Sequence, residues 1–344
     1  MQRLRVHGPG DIRLQERPEP VPGDRDVVIQ TAACGICGSD LSFIRIGTIR
    51  PDGEPQPLGH EVSGVVAAIG RNVTGLKPGM RVVVNPMAKT HDPDVPDADD
   101  VLGCGGDEGA FGQHFLIRDA RPGEDIVEIP ADVTFEQAAL SDPLGVAAHA
   151  INQGKAVSGD RVVIFGAGPI GLAAVLWLRR RHIEDVVVVD LHAARLRRAM
   201  DLGARATIDA SRENVWDRLG ELHGTFSAMG NRVVGSDLYL EMAGGEGIFR
   251  DIIKGARPHA RVVIVAAHFK DESIPMQDLL LKELQITSSL GYPSEFGQVV
   301  AALPELTDQL GLIISHRYDF EEIFEAFSVA GSPVSAKVMI NFSG

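Results

Sequence analysis

The stretch Val162-Val-Ile-Phe-Gly166-Ala-Gly168-Pro169-Ile170-Gly171 decides the fold of this chain. β-branched and aromatic residues run into a glycine-rich turn, and apolar residues at helical spacing follow. Each glycine has its own task. Gly166 makes the tight turn, Gly168 lets the backbone approach a pyrophosphate, and Gly171 allows the helix to pack closely on the strand. Pro169 suits the first helical turn, where its missing N–H would have no partner anyway, and Ile170 follows it into the phosphate-facing turn. The unpaired N–H groups and the helix dipole then face the phosphates. A glycine triplet alone is a weak signal. Here an acidic residue, Asp190, closes the next apolar run, Val186-Val-Val-Val-Asp190, at the spacing a dinucleotide site needs. Asp190 can accept both hydroxyls of an adenosine ribose and would repel a 2′-phosphate, so NAD is favoured over NADP. Arg195, five residues on, joins the cofactor-binding candidates and works against that preference.

Outward from this motif the alternation continues. Apolar runs at 161–165, 186–190, 238–242, 261–266 and 286–290 alternate with helical stretches such as 193–202, the signature of an α/β doubly wound parallel sheet. The first 150 residues read differently. Val27-Val-Ile-Gln-Thr-Ala, Val62-Ser-Gly-Val-Val-Ala-Ala-Ile and Arg81-Val-Val-Val are short strands between turn signals such as Lys77-Pro-Gly-Met80, so this part is a β-rich domain, a partly open barrel. The Ala- and Leu-rich segment 134–150 marks the boundary. The acidic run His91-Asp-Pro-Asp-Val-Pro-Asp-Ala-Asp-Asp100 reads as a solvated loop. At 344 residues there is room for two domains. A net charge of −14 excludes nucleic acid and anionic membrane surfaces as expected partners. The N-terminus has no apolar signal core and no run reaches membrane-spanning length, so a cytoplasmic protein is expected. Three cysteines, Cys34, Cys37 and Cys104, do not make a disulfide framework.

Cys37-Gly-Ser39-Asp40, followed by Gly59-His60-Glu61, supplies a thiolate, an imidazole and a carboxylate, the ligand set that selects zinc. Zinc lowers the pKa of an alcohol hydroxyl, and a nicotinamide can take the hydride. Ser39, two residues after Cys37, is placed to carry the proton away. Taken singly, Cys37 is a small core residue and His60 a loop histidine; it is their occurrence beside a dinucleotide motif that points to catalysis. Cys34 and Cys104 have no second pair to complete a structural site and read as packing.

Cys37-Gly-Ser39-Asp40, Gly59-His60-Glu61-x-x-Gly64 and Gly166-Ala-Gly168-Pro169-Ile170-Gly171 together resemble the zinc-containing medium-chain alcohol and polyol dehydrogenase superfamily, in its sorbitol, butanediol and threonine dehydrogenase-like branch. The order and spacing match over essentially the whole chain. The resemblance implies a GroES-like catalytic domain made of 1–150 and 291–344, and an NAD-binding Rossmann domain of 151–290. It also implies that Cys37 and His60 bind a catalytic zinc with Glu61 beside it as ligand or exchangeable carboxylate. Asp142, in Asp142-Pro143, stands where related enzymes have a Glu-Pro pair, and is a further candidate metal carboxylate. Three departures matter. The segment 85–111 holds only Cys104 of the four cysteines that a structural zinc needs, so one zinc per subunit is expected. Ser42 replaces a histidine at the outer end of the proton relay. Gly291 precedes Tyr292 where polyol dehydrogenases tend to have arginine.

The expected function is hydride transfer between a secondary alcohol, a diol or polyol included, and NAD, giving a ketone. The enzymatic rival is a zinc-free NADPH-dependent reductase of quinones or enones, and Cys37, His60 and Glu61 count against it. A rival of another class is a non-catalytic nicotinamide-binding protein. The partner is a small alcohol or ketone, and the family implies a homo-oligomer, dimer or tetramer.

Overall fold

Four consecutive apolar positions, Val186 to Val189, all buried, need cover on both faces, which is the condition for a parallel sheet between helices. The computed structural model describes residues 1–50, 52–88, 101–228 and 230–343, so the acidic run 91–100 lies outside the described residues. The chain divides into two compact units, Met1–Asp142 with Tyr292–Gly344, and Pro143–Gly291. The division falls within the helix Ser141–Gln153.

The unit Pro143–Gly291 is built on six parallel strands in the order Ala206–Asp209, Val186–Asp190, Val162–Phe165, Leu238–Glu241, Arg261–Ile264, Gln285–Ser288. Strand order reverses between Val162–Phe165 and Leu238–Glu241, the topological switch at which such sheets open a crevice for ligands. The helix Pro169–Arg180 follows the first strand directly, with proline in its first turn and all residues from Gly171 to Leu178 buried. Trp177, wholly buried on it, donates its indole N–H to the Leu144 carbonyl at 2.9 Å. Sequence spacing did not show the antiparallel pair Thr225–Ala228 and Asn231–Val234, because those eight residues mix polar and apolar positions and five of them are exposed.

In the other unit, Val27–Ile36 is the central strand. It pairs antiparallel with Glu61–Ile69 on one side and with Lys337–Asn341 on the other, and His114–Ile117 adds to its start. Arg81–Val84 and Ile126–Glu128 continue the sheet beyond Glu61–Ile69, and Ile314–Asp319 lies outside Lys337–Asn341. A smaller sheet holds Asp11–Glu16, Gln2–Gly8 and Gln56–Pro57. Inward residues of these strands form one core with Phe111, Phe115, Phe320 and Phe327. Two registers matter for the site. Glu61 pairs with Gly35, and Val338 pairs with Ile36, so His60-Glu61 and Lys337 arrive on either side of the strand end from which Cys37 follows.

Candidate active site

Cys37 is the N-cap of the helix Gly38–Ile46. The side chain of Asp40, fully buried in the first turn of that helix, accepts the N–H of Cys37 at 2.9 Å and the N–H of Gly59 at 3.1 Å. One carboxylate thereby ties the thiol-bearing turn to the turn that carries His60, and its Oδ1 lies 3.9 Å from His60 Nδ1. Burial raises the Asp40 pKa, opposed by His60 and by the two amide donors. The sequence carried a signal for this tether, an acidic residue three positions after the cap.

One ligand atom from each of Cys37, His60 and Glu61 lies within 4.8 Å of the other two, with His60 and Glu61 buried and Cys37 half-buried. A sulfur, an imidazole nitrogen and a carboxylate oxygen that close together fit around a single zinc ion, whose bonds to such ligands are about 2.0–2.3 Å. The buried Ser39 hydroxyl has no hydrogen-bond partner among the described residues. Ser42, by contrast, spends its hydroxyl on the Gly38 carbonyl at 3.1 Å, within its own helix.

Asp142 is not part of the tight group of three. It is buried, and its Oδ1 accepts the phenol O–H of Tyr292 at 2.5 Å. Burial pushes its carboxyl up to about 6, with the His60 ring opposing and Glu61 reinforcing that rise. Burial and then the neighbouring Asp142 push the Tyr292 phenol well above its ordinary range.

Two neighbours of the site escaped sequence reasoning. Lys337, 1 % exposed, donates from its ammonium to the Ile36 carbonyl at 2.9 Å and to Glu61 Oε1 at 2.5 Å, and its charge also lies in ion-pair contact with Glu61 Oε2. Burial alone would lower that ammonium's pKa, but Glu61 outweighs it and holds the value above lysine's ordinary 10.5. The ion pair crosses the central strand at Gly35, where a Cβ would meet Glu61 Oε2 at 2.3 Å and Lys337 Cδ at 3.0 Å. Only glycine leaves room for it. Cys104 is the second. Read as an isolated packing residue, its sulfur lies 3.5 Å from His60 Nδ1 and so belongs to the surroundings of the site. Cys34 is wholly buried in the core.

In the parallel-sheet unit, Gly166 has φ +103°, and a Cβ there would meet the Met242 carbonyl at 2.8 Å. Gly171 sits against the Gly166 carbonyl, where no Cβ fits, while nothing lies within 4 Å of a Cβ position at Gly168, the N-cap of the helix. The space at Gly168 and the closure at Gly166 and Gly171 are what a pyrophosphate cradle needs. Pro169 and Ile170 open the helix and are half-buried. The Asp190 carboxylate accepts the N–H of Ala167 at 2.7 Å and that of His192 at 2.9 Å, so the acidic residue also holds the glycine turn. Arg195 lies in the first turn of the helix Ala193–Asp201 that follows Asp190.

Comparison with known proteins shows the family. Residues 23–131 match the alcohol dehydrogenase GroES-like domain, and residues 169–305 match the zinc-binding dehydrogenase domain. A sorbitol dehydrogenase from Macaca fascicularis is 30% identical over 98% of this chain and 94% of its own length. Among solved structures, 2R,3R-butanediol dehydrogenase from Bacillus subtilis superposes with a TM-score of 0.86 at 27% identity, over 99% of each chain. An Escherichia coli CFT073 alcohol dehydrogenase complexed with cofactor NADH gives 0.85 at 25% identity, covering 99% of each chain. With its GroES-like domain, its Rossmann-type parallel sheet and a relative of this identity along nearly its whole length, the chain belongs to the zinc-dependent medium-chain alcohol and polyol dehydrogenase superfamily.

Proposed function

We propose that this chain transfers hydride between a secondary alcohol, diols and polyols included, and NAD, giving a ketone, with one catalytic zinc per subunit. The observation that carries the reading is the grouping of Cys37, His60 and Glu61 within 4.8 Å in a chain that also holds an Asp190-anchored glycine turn. Bound zinc supplies Lewis acidity toward the substrate oxygen, and NAD supplies the hydride acceptor. The protein's own residues do the rest. Cys37, His60 and Glu61 hold the metal, Asp40 fixes the turns that present Cys37 and His60, and Lys337 sets the position of Glu61. Ser39, through its unpartnered Oγ, would accept a hydrogen bond from the substrate hydroxyl and pass the proton on to solvent, giving up its own as it receives the substrate's. Asp142, with one oxygen held by Tyr292, acts beside the metal rather than as a direct ligand. The zinc-free quinone or enone reductase reading has no use for three ligand side chains gathered in one place. Exposed Leu280 and Leu290, flanking the edge strand Gln285–Ser288, support the expected homo-oligomer.

A panel of secondary alcohols, diols and polyols with NAD and NADP, run before and after chelation, tests the reading. Chelation should abolish NADH formation. Enone reduction by NADPH that survives chelation would favour the rival enzyme.

Cofactor choice is tested separately at Asp190. Asp190→Ala should raise the KM for NAD by about tenfold, since a ribose acceptor and the anchor of Ala167 go together. Asp190→Asn keeps an acceptor for Ala167 and removes only the charge, so it should mainly relax discrimination against NADP. An unaltered NAD/NADP ratio in both variants would rule out Asp190 as the discriminator.

A further inference from the structure

The order of the parallel strands divides the nucleotide crevice into two halves. Asp190 ends the strand on one side of Val162–Phe165, where the adenosine ribose is expected, and Gly168 faces the pyrophosphate. The other half of a dinucleotide therefore runs over the ends of Leu238–Glu241 and Arg261–Ile264, on the opposite side of the switch. Two side chains there have no role in the function proposed above.

Glu241 is the last residue of its strand and is completely buried. Its Oε1 accepts the N–H groups of Ala243 at 3.0 Å and Gly244 at 2.8 Å, and its Oε2 lies 2.9 Å from His268 Nε2. With both oxygens engaged, this carboxylate is a support and not a base for substrate. It fixes the loop that also closes over Gly166 through the Met242 carbonyl. The loop bearing His268 is tied to it again where Gly247 donates its N–H to Glu272 at 2.8 Å. Oε2 faces Nε2 as an acceptor, so in the neutral ring Nε2 carries the proton and Nδ1 is left as the acceptor. None of the described residues hydrogen-bonds Nδ1, and the side chain is 20% exposed. An imidazole aligned by a buried carboxylate, with its second nitrogen open at a ligand crevice, is built to meet a hydrogen-bond donor.

We propose that His268, oriented by Glu241, contacts the nicotinamide half of the dinucleotide, Nδ1 accepting a hydrogen bond from a hydroxyl of the nicotinamide ribose. The inference rests on the nucleotide-binding reading above. His268 is thus a cofactor-contacting residue and Glu241 its positioning residue.

The test measures binding by calorimetric titration of the zinc-loaded protein with NADH and, separately, with AMP as the adenosine half alone. His268→Ala should weaken NADH by about tenfold, the usual consequence of losing one well-placed hydrogen bond, and leave AMP affinity unchanged. Glu241→Gln should weaken NADH in the same direction, since the ring loses its alignment. Unchanged NADH affinity in His268→Ala would overturn the proposal. So would a parallel loss of AMP affinity, which would mean that the ring only supports the loops. Should the alanine variant not fold, His268→Phe keeps the ring's bulk, removes both nitrogens and is judged by the same two titrations. A wild-type protein that binds neither NADH nor AMP would instead overturn the nucleotide-binding reading itself.

Discussion

Cys37→Ala and His60→Ala should each purify without zinc at the catalytic site and turn over alcohol at least about a thousandfold more slowly than the parent. The site offers three tightly grouped ligand atoms, so removing one takes away affinity and geometry together. The rate loss follows because the Lewis acid accounts for several kcal/mol of the barrier, and each 1.4 kcal/mol is about a factor of ten. Cys34→Ala is the control for the neighbouring thiol. Cys34 is wholly buried in the core, so this variant should lose some stability and keep its zinc. Metal content by mass spectrometry, read beside turnover, decides the matter. A full zinc equivalent and near-normal rate in Cys37→Ala or His60→Ala would remove those residues from the site. The expected total in the parent is one zinc per subunit, and two tightly held zincs would contradict it.

Lys337→Met should cost about 3–5 kcal/mol of stability, the usual penalty for stranding a buried charge. The lysine and Glu61 are each 1% exposed, and their mutual contact crosses the backbone at Gly35, so water has little access to the carboxylate left behind. The double variant Lys337→Met with Glu61→Gln removes both charges and should recover most of the loss, whereas additive losses would show that the two are not coupled. Scanning calorimetry of the metal-free proteins measures this without zinc competing for Glu61. The direction with pH is also set. The ammonium's pKa in the folded protein lies above its ordinary 10.5, so its contribution is complete below that value and is lost as pH rises through the raised one. Gly35→Ala should act like the lysine variant, because its Cβ would occupy the space the pair uses.

What the sequence by itself determined lies in short segments whose geometry is local. The strand Val162–Phe165, the turn at Gly166 and the helix from Pro169 are legible because strand sterics, a positive-φ glycine and a first-turn proline act within ten residues of one another. Element ends differ from the pattern by a residue or two; the apolar run 261–266 becomes the strand Arg261–Ile264, since apolarity continues past the last ladder bond. Cys37, His60 and Glu61 were legible as donor types at family spacing. Their closeness was not, because it follows from pairing Glu61 with Gly35 across two strands. Only the tertiary structure decided what surrounds them. Lys337 is 276 positions from Glu61, and in the run Ser335-Ala-Lys337-Val-Met-Ile it reads as an ordinary charged strand end. Tyr292 meets Asp142 across 150 positions, and Cys104 meets His60 across 44. Glu241 ends the strand Leu238–Glu241, and His268 lies in the loop after the adjacent parallel strand Arg261–Ile264, so no local periodicity links them. Such partners are chosen by sheet register and strand order, which bring together backbone segments whose own sequences carry no mark of the meeting.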